Sequence, residues 1–159
     1  MNNELKTLDA KGLLHFQSLQ TEAVNVVTAR FFATHGSIYE RFGQRGQEAC
    51  REDLAFHLEF LRPVLEFGLL QPIVDYLRWL GSVLIAREVP ADHLAQSLDW
   101  LAEYFGEAMA PAEGTVVVAA LQAARIKFVE SRNAPPVPPK PPEAWSEATF
   151  FEEALLAGN

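Results

Sequence analysis

The sequence predicts an all-α protein, a bundle of four or five helices followed by a proline-rich C-terminal tail. Apolar residues recur at helical spacing in successive segments, no segment shows the alternation typical of a strand, and prolines and glycines fall between the segments. A globin-like arrangement of the helices is the structural alternative. The chain has 159 residues, which is enough to bury a hydrophobic core without disulfides or metals.

Five segments carry the helical pattern. The expected helices span residues 4–34, 47–67, 70–86, 90–109 and 115–131. Residues 36–46 hold three glycines and are expected to form a loop with a short turn around residues 39–42. Pro63 is expected to kink the second helix or displace its end, and Gly68 is expected to stop it. Pro72 and Pro90 suit the first turns of the third and fourth helices.

The composition changes abruptly after the fifth helix. Residues 1–133 form the expected helical domain, and residues 134–145 are so rich in proline that they predict a polyproline II linker. Residues 146–159 predict a short acidic helix with an apolar side, capped at Ser146. Such a tail serves as a stiff spacer or as a partner contact.

The charge balance narrows the range of partners. The net charge of −8 argues against nucleic acid and against an anionic membrane surface, because both require a concentrated basic face. The single cysteine cannot form an intramolecular disulfide, which fits a reducing compartment. Residues 1–8 lack the pattern of a signal peptide. We therefore expect a cytoplasmic protein.

The second expected helix carries polar residues on its apolar face. Its apolar centre line contains four leucines at helical spacing, widened by Phe60, Val64 and Phe67. At about 100° per residue, Cys50, Asp53 and His57 project into the same arc. Polar groups directed at a core must be paired, liganded or functional, because an unpaired buried polar group is costly.

This group of three has two interpretations. In the functional one, Cys50, Asp53 and His57 contact a ligand, and His57 binds haem, another tetrapyrrole or a small apolar molecule. Asp53, one helical turn away, would then orient the imidazole. In the structural one, His57 is a core histidine bonded to Asp53 or to a carbonyl oxygen. No zinc or other metal site is expected, because the remaining histidines are far apart in sequence.

Aromatic residues on the third and fourth helices form candidate interface surfaces. His93, Trp100 and Tyr104 share one face of the fourth helix with Ser97, and such mixed aromatic and polar faces suit partner contacts. Tyr76 and Trp79 form a second apolar flank on the third helix, which favours a homodimer. Ordinary packing within the bundle is the alternative for all of them.

Residues 50–105 resemble a helical module found ahead of cobalamin-binding domains in some bacterial regulatory proteins. The matching positions are Cys-Arg-Glu-Asp-Leu at 50–54, His57, residues 61–63, Val74-Asp75-Tyr76 with Trp79, and Val89-Pro90-Ala91-Asp92 with Leu94. The resemblance implies a helical sensory or regulatory domain. The chain lacks the Asp-x-His-x-x-Gly motif that supplies the lower cobalamin ligand, so cobalamin binding is not implied.

Known catalytic motifs are absent from the sequence. There is no phosphate-binding loop, dinucleotide fingerprint, nucleophile elbow or H-E-x-x-H motif. Asp53 and His57 are the one candidate acid–base pair, and no nucleophile accompanies them. We therefore expect a non-enzymatic regulatory or interaction module of a bacterial signalling or sensory system, acting as a homodimer or with another protein. A ligand sensor that uses His57 is the alternative, with a tetrapyrrole as its possible cofactor.

Overall fold

The computed structural model describes residues 5–131, and this part of the chain is helical almost throughout, without a strand. Five α-helices and one 3-10 turn follow each other with short connections. They are α1 (Ala10–Tyr39), the 3-10 turn (Glu40–Phe42), α2 (Gly43–Phe67), α3 (Gln71–Ala86), α4 (Ala91–Ala108) and α5 (Pro111–Ser131). The predicted all-α helical bundle is confirmed.

The helix ends follow local sequence signals. The Asp9 carboxylate caps α1 by accepting a hydrogen bond from the Gly12 amide at 2.8 Å. Gly68 ends α2 as predicted, because it adopts the left-handed conformation (φ 72°) that favours glycine. Pro63 lies inside α2, which nevertheless continues to Phe67. Helix α1 starts at Ala10, six residues after the predicted start, because Asp9 caps it; the starts and ends of α3, α4 and α5 agree with the prediction to within four residues.

The predicted loop at residues 36–46 is wrong for most of its length, although the 3-10 turn at Glu40–Phe42 falls where a short turn was expected. Helix α1 kinks at His35 and continues to Tyr39, and the 3-10 turn then leads directly into α2. Buried Phe42 anchors this turn in the core. Gly43 supplies the positive φ of 65° that redirects the chain. Gly46 is a close-packing residue, since a Cβ there would lie 2.7 Å from the Cβ of Phe42.

The predicted core face of α2 is confirmed along its centre line. Leu54, Leu58, Leu61 and Leu65 are each at most 2% exposed. Phe67 was expected on the same arc, but it is 69% exposed because it is the last residue of the helix. The arc therefore faces the bundle only up to Leu65, whose carbonyl oxygen accepts a hydrogen bond from the Leu8 amide at 2.8 Å.

Helices α4 and α5 form the most extensive helix pair of the bundle. Two glycines allow their close approach: a Cβ on Gly114 would lie 3.3 Å from the Phe105 carbonyl oxygen, and one on Gly106 would lie 3.2 Å from Val118. Phe105 also packs on Phe16 of α1, with ring centroids 5.0 Å apart. This packing fixes α4 against α5 and α1, and the candidate site lies further along α1 and α4.

The predicted linker at residues 134–145 and the predicted tail helix at 146–159 lie outside the described residues. Within residues 5–131, no helix combines the length and the apolar character that a membrane span requires.

Candidate functional site

A cavity of about 50 Å³ lies where the end of α1, the 3-10 turn, α2 and α4 meet. Its walls are mostly apolar, and Leu84 at the end of α3 and Val89 close one side. Three of its lining residues are Cys50, Asp53 and His57. The structure thus brings together the three residues that the sequence marks as candidate ligand contacts. Their role in ligand binding stays a prediction.

His57 is 1% exposed and lies at the centre of a buried hydrogen-bond network. Its Nδ1 atom lies 2.7 Å from the hydroxyl oxygen of Tyr76 on α3, and its Nε2 atom lies 3.2 Å from the hydroxyl oxygen of Ser97 on α4. The network therefore joins α2, α3 and α4 through a single ring.

The hydrogen bonds of the network fit a neutral imidazole. Burial lowers the pKa of His57 to about 3, although a hydrogen bond from the ring to the backbone of Asp53 opposes this shift. The Ser97 hydroxyl donates to the Leu94 carbonyl oxygen at 2.6 Å, so its oxygen can accept from Nε2–H of His57. The Tyr76 hydroxyl lies 2.9 Å from the Asp53 carbonyl oxygen and 2.7 Å from Nδ1, and its single proton is donated to one of these two acceptors at a time. In a neutral ring protonated at Nε2, Nδ1 is the acceptor of this proton whenever the hydroxyl points to the ring.

The expected pairing of the Asp53 carboxylate with His57 is wrong. Tyr76 and Ser97 occupy both ring nitrogens, and the Oδ1 atom of Asp53 is buried without a hydrogen-bond partner among residues 5–131. Helical spacing places the two residues on one face, but α3 and α4 supply the nearer polar groups. Burial, with a smaller contribution from the charge of Glu52, raises the pKa of Asp53 well above its usual value.

Cys50 lies one turn before Asp53 and is half-buried in the wall of the cavity. Burial and then the nearby charge of Asp53 raise the pKa of its thiol to about 12. The thiol is therefore protonated at neutral pH, and it has neither the nucleophilicity nor the metal affinity of a thiolate.

Sequence reasoning missed Tyr39 as a site residue, because it lay in the expected loop. Its hydroxyl group lies 2.8 Å from Nδ1 of His93, and both residues line the cavity. The ring of His35 stacks on His93 with a centroid distance of 4.0 Å, and its Nε2 atom lies 2.6 Å from Oε1 of Gln96. The spacing of His93 and Ser97, one helical turn apart, was the signal that both face one site.

The candidate interface residues lie mostly inside the bundle. Tyr76 is 0%, Trp79 1% and Trp100 7% exposed, so none of the three offers a surface to a partner in this fold. Packing, the alternative that the sequence left open, explains all three. His93 is half-buried beside the cavity. Tyr104 is half-buried and donates a hydrogen bond to Glu22 of α1.

The geometry does not favour the tetrapyrrole alternative. A cavity of about 50 Å³ is far smaller than the ~300–1,000 Å³ of typical small-molecule sites, and both nitrogens of His57 are already bonded. A tetrapyrrole would need α1 and α4 to separate. The described part of the chain contains no group of three or more histidine, cysteine or acidic residues that could hold a metal ion.

Comparisons with protein-family models, with curated proteins and with solved structures found no match to this chain. The resemblance of residues 50–105 to the helical module of bacterial regulators therefore stays a prediction.

Proposed function

We propose that this chain is a non-enzymatic regulatory module of a bacterial signalling or sensory system, which responds to a small molecule bound in its cavity. The observation that carries the proposal is the convergence of Cys50, Asp53 and His57 on one cavity, with a carboxylate oxygen that has no hydrogen-bond partner among residues 5–131. A buried acceptor without a partner lowers the stability of the folded protein, and a ligand that donates a hydrogen bond to it recovers this free energy on binding.

The position of the cavity supports a regulatory role. Its walls come from α1, the 3-10 turn, α2, the end of α3 and α4, so a bound molecule contacts most of the bundle at once. A ligand shifts a conformational equilibrium by its difference in affinity for the two states. A site built from several helices is suited to this, because the contacts with the ligand change whenever the helices rearrange.

The arrangement gives little support to catalysis. His57 and Ser97 are within hydrogen-bond reach, but they are only 1% and 3% exposed. The group on Nδ1 of the imidazole is the neutral hydroxyl of Tyr76, where a hydrolytic triad places a carboxylate. The Ser97 hydroxyl donates to its own helix. The network is built to hold three helices together.

The binding step is tested with four probes of similar size and different charge: ethylammonium, ethanol, acetamide and acetate. The best tiny ligands gain about 1.5 kcal/mol per non-hydrogen atom, so millimolar dissociation constants are expected. Two-dimensional NMR of the full chain detects such binding. We expect at least one probe to shift the signals of cavity residues, whereas no shift from any of the four would overturn the proposal.

A matched pair of variants locates the binding. Cys50→Leu places extra carbon atoms in the cavity, and Cys50→Ala leaves its volume free. We expect the former to abolish the shifts and the latter to keep them. Shifts that survive in Cys50→Leu would place the binding elsewhere on the protein.

A homodimer or another protein partner remains part of the proposed role, but its contact surface must differ from the aromatic residues first considered. Two large apolar side chains, Phe67 and Leu69, are 69% and 54% exposed at the turn between α2 and α3. Light scattering of the double variant Phe67→Ser, Leu69→Ser tests a dimer formed there. A molecular mass of the double variant below that of the wild type would support the dimer. If the wild type and the variant are both monomeric, a dimer at this surface is excluded.

A further inference from the structure

We propose that the ligand of the cavity is a small organic cation, a primary ammonium ion of a few non-hydrogen atoms, bound by the carboxylate of Asp53. This inference rests on the proposed function and adds the chemical class of the ligand. The size follows from the volume of about 50 Å³.

The hydrogen bonds at the cavity call for a donor. The hydroxyl of Tyr39 is bonded to His93, both nitrogens of His57 are bonded, and the Ser97 hydroxyl donates to the backbone. Oδ1 of Asp53 is the buried lining atom without a partner in the described part of the chain. Because this atom can only accept while the carboxyl group is ionised, the complementary ligand atom is an N–H or O–H donor.

The charges around the cavity favour a cationic donor over a neutral one. None of the lining residues is lysine or arginine, so no side-chain cation within the cavity competes for Asp53. Glu52, the sequence neighbour of Asp53, adds negative potential, and its Oε1 atom is also buried without a partner among residues 5–131. A hydrogen bond between two charged groups is roughly twice as strong as one between neutral groups.

The walls suit an organic cation. Phe31, Tyr39 and Phe42 line the cavity, and aromatic faces attract ammonium groups. Arg41 in the 3-10 turn is engaged elsewhere, because its guanidinium stacks at 4.7 Å on the Phe42 ring and donates a hydrogen bond to the Arg87 carbonyl oxygen. Arg41 is therefore engaged by groups other than Asp53.

The charge of Asp53 supplies a second signature of binding. Burial raises the pKa of the Asp53 carboxyl group well above its usual value, and a bound cation favours the ionised form. Binding should therefore release protons and tighten as the pH rises. The titratable and charged groups around the cavity include Tyr39 on α1, Arg41 in the turn, Cys50, Arg51, Glu52 and His57 on α2, Tyr76 on α3 and His93 on α4.

The test compares ethylammonium with its neutral counterpart ethanol, at constant ionic strength, by NMR titration of the full chain. We expect ethylammonium to bind more tightly than ethanol, and Asp53→Asn to weaken it about tenfold or more, as expected for a lost charge-assisted hydrogen bond. Asp75→Asn, at an exposed carboxylate on α3, is the matched control and should leave the affinity unchanged. Calorimetry in two buffers of different ionisation enthalpy measures the released protons.

The possible outcomes separate this inference from the proposed function. If ethanol, acetamide or acetate binds at the cavity and ethylammonium does not, the site is a sensor of another chemical class and the cation is excluded. Ethylammonium binding that is unchanged in Asp53→Asn would also overturn the assignment. If none of the four probes binds, both the cation and the sensor are excluded.

Discussion

The hydroxyl oxygen of Tyr76 lies 2.7 Å from Nδ1 of His57, and both side chains are at most 1% exposed. The two rings meet edge to face, with centroids 5.4 Å apart. A hydrogen bond in such a dry environment is strong when it is complete and costly when one partner is lost. This contact therefore fixes the imidazole at the wall of the cavity and couples α2 to α3.

Removing the Tyr76 hydroxyl tests how much this contact stabilises the fold. In Tyr76→Phe, Nδ1 of His57 and the Asp53 carbonyl oxygen lose a partner, so we expect the free energy of unfolding to fall by about 1–3 kcal/mol. Urea denaturation followed by circular dichroism measures the change. Tyr104→Phe is the control, because its hydroxyl bonds to Glu22 at the surface, and it should change stability by less than about 0.5 kcal/mol. Equal effects of the two variants would contradict a special role for the buried network.

Burial of His57 predicts a loss of stability in acid. The folded pKa of about 3 lies below the ordinary 6.5, so the unfolded chain binds a proton that the folded one does not. The contribution of His57 is thus fully present above pH 6.5 and is lost as the pH falls toward 3, at about 1.4 kcal/mol per pH unit. The difference in unfolding free energy between the wild type and His57→Gln isolates this contribution. A difference that does not change between pH 7 and pH 5 would contradict the burial of a neutral imidazole.

Trp79 distinguishes packing from an interface on α3. Its side chain is 1% exposed, so Trp79→Ala should lower the free energy of unfolding by about 3–5 kcal/mol through the loss of core contacts. Phe67→Ser, at a position 69% exposed, should leave stability within about 0.5 kcal/mol of the wild type. Thermal unfolding of both variants provides the comparison. A stable Trp79→Ala variant with a reduced mass in light scattering would restore the interface interpretation.

Local periodicity predicted the helices because it depends on residues one or two turns apart. The leucine line of α2 and the stop at Gly68 are of this kind. The kink at His35 and the 3-10 turn are not, since they depend on Phe42 being buried by distant parts of the chain. The glycine content of residues 36–46 therefore predicted a loop. In the structure Gly46 lies in α2 instead, where the absence of a Cβ leaves room for the Phe42 side chain.

The candidate site was predictable only within one helix. Spacing on α2 placed Cys50, Asp53 and His57 on one face, and all three line the cavity. The partners of His57 come from residues 19 and 40 positions further along the chain, and no spacing rule within a helix reaches them. The same distance explains why Tyr76 was assigned to a surface, although its hydroxyl group is a core hydrogen-bonding partner.

Asp53→Asn should raise stability at neutral pH and lose this advantage in acid. Because the folded pKa of Asp53 is raised well above 3.8, its favourable contribution is fully present below pH 3.8 and is lost as the pH rises through the folded pKa. The amide has a similar shape and no charge, so the variant avoids the cost of an ionised carboxylate in the cavity wall. Urea denaturation of both proteins at pH 8 and pH 5 should show a larger difference at pH 8. If Asp53→Asn is less stable than the wild type by the same amount at both values, the carboxylate has a favourable partner in the folded protein and is not held available for a ligand.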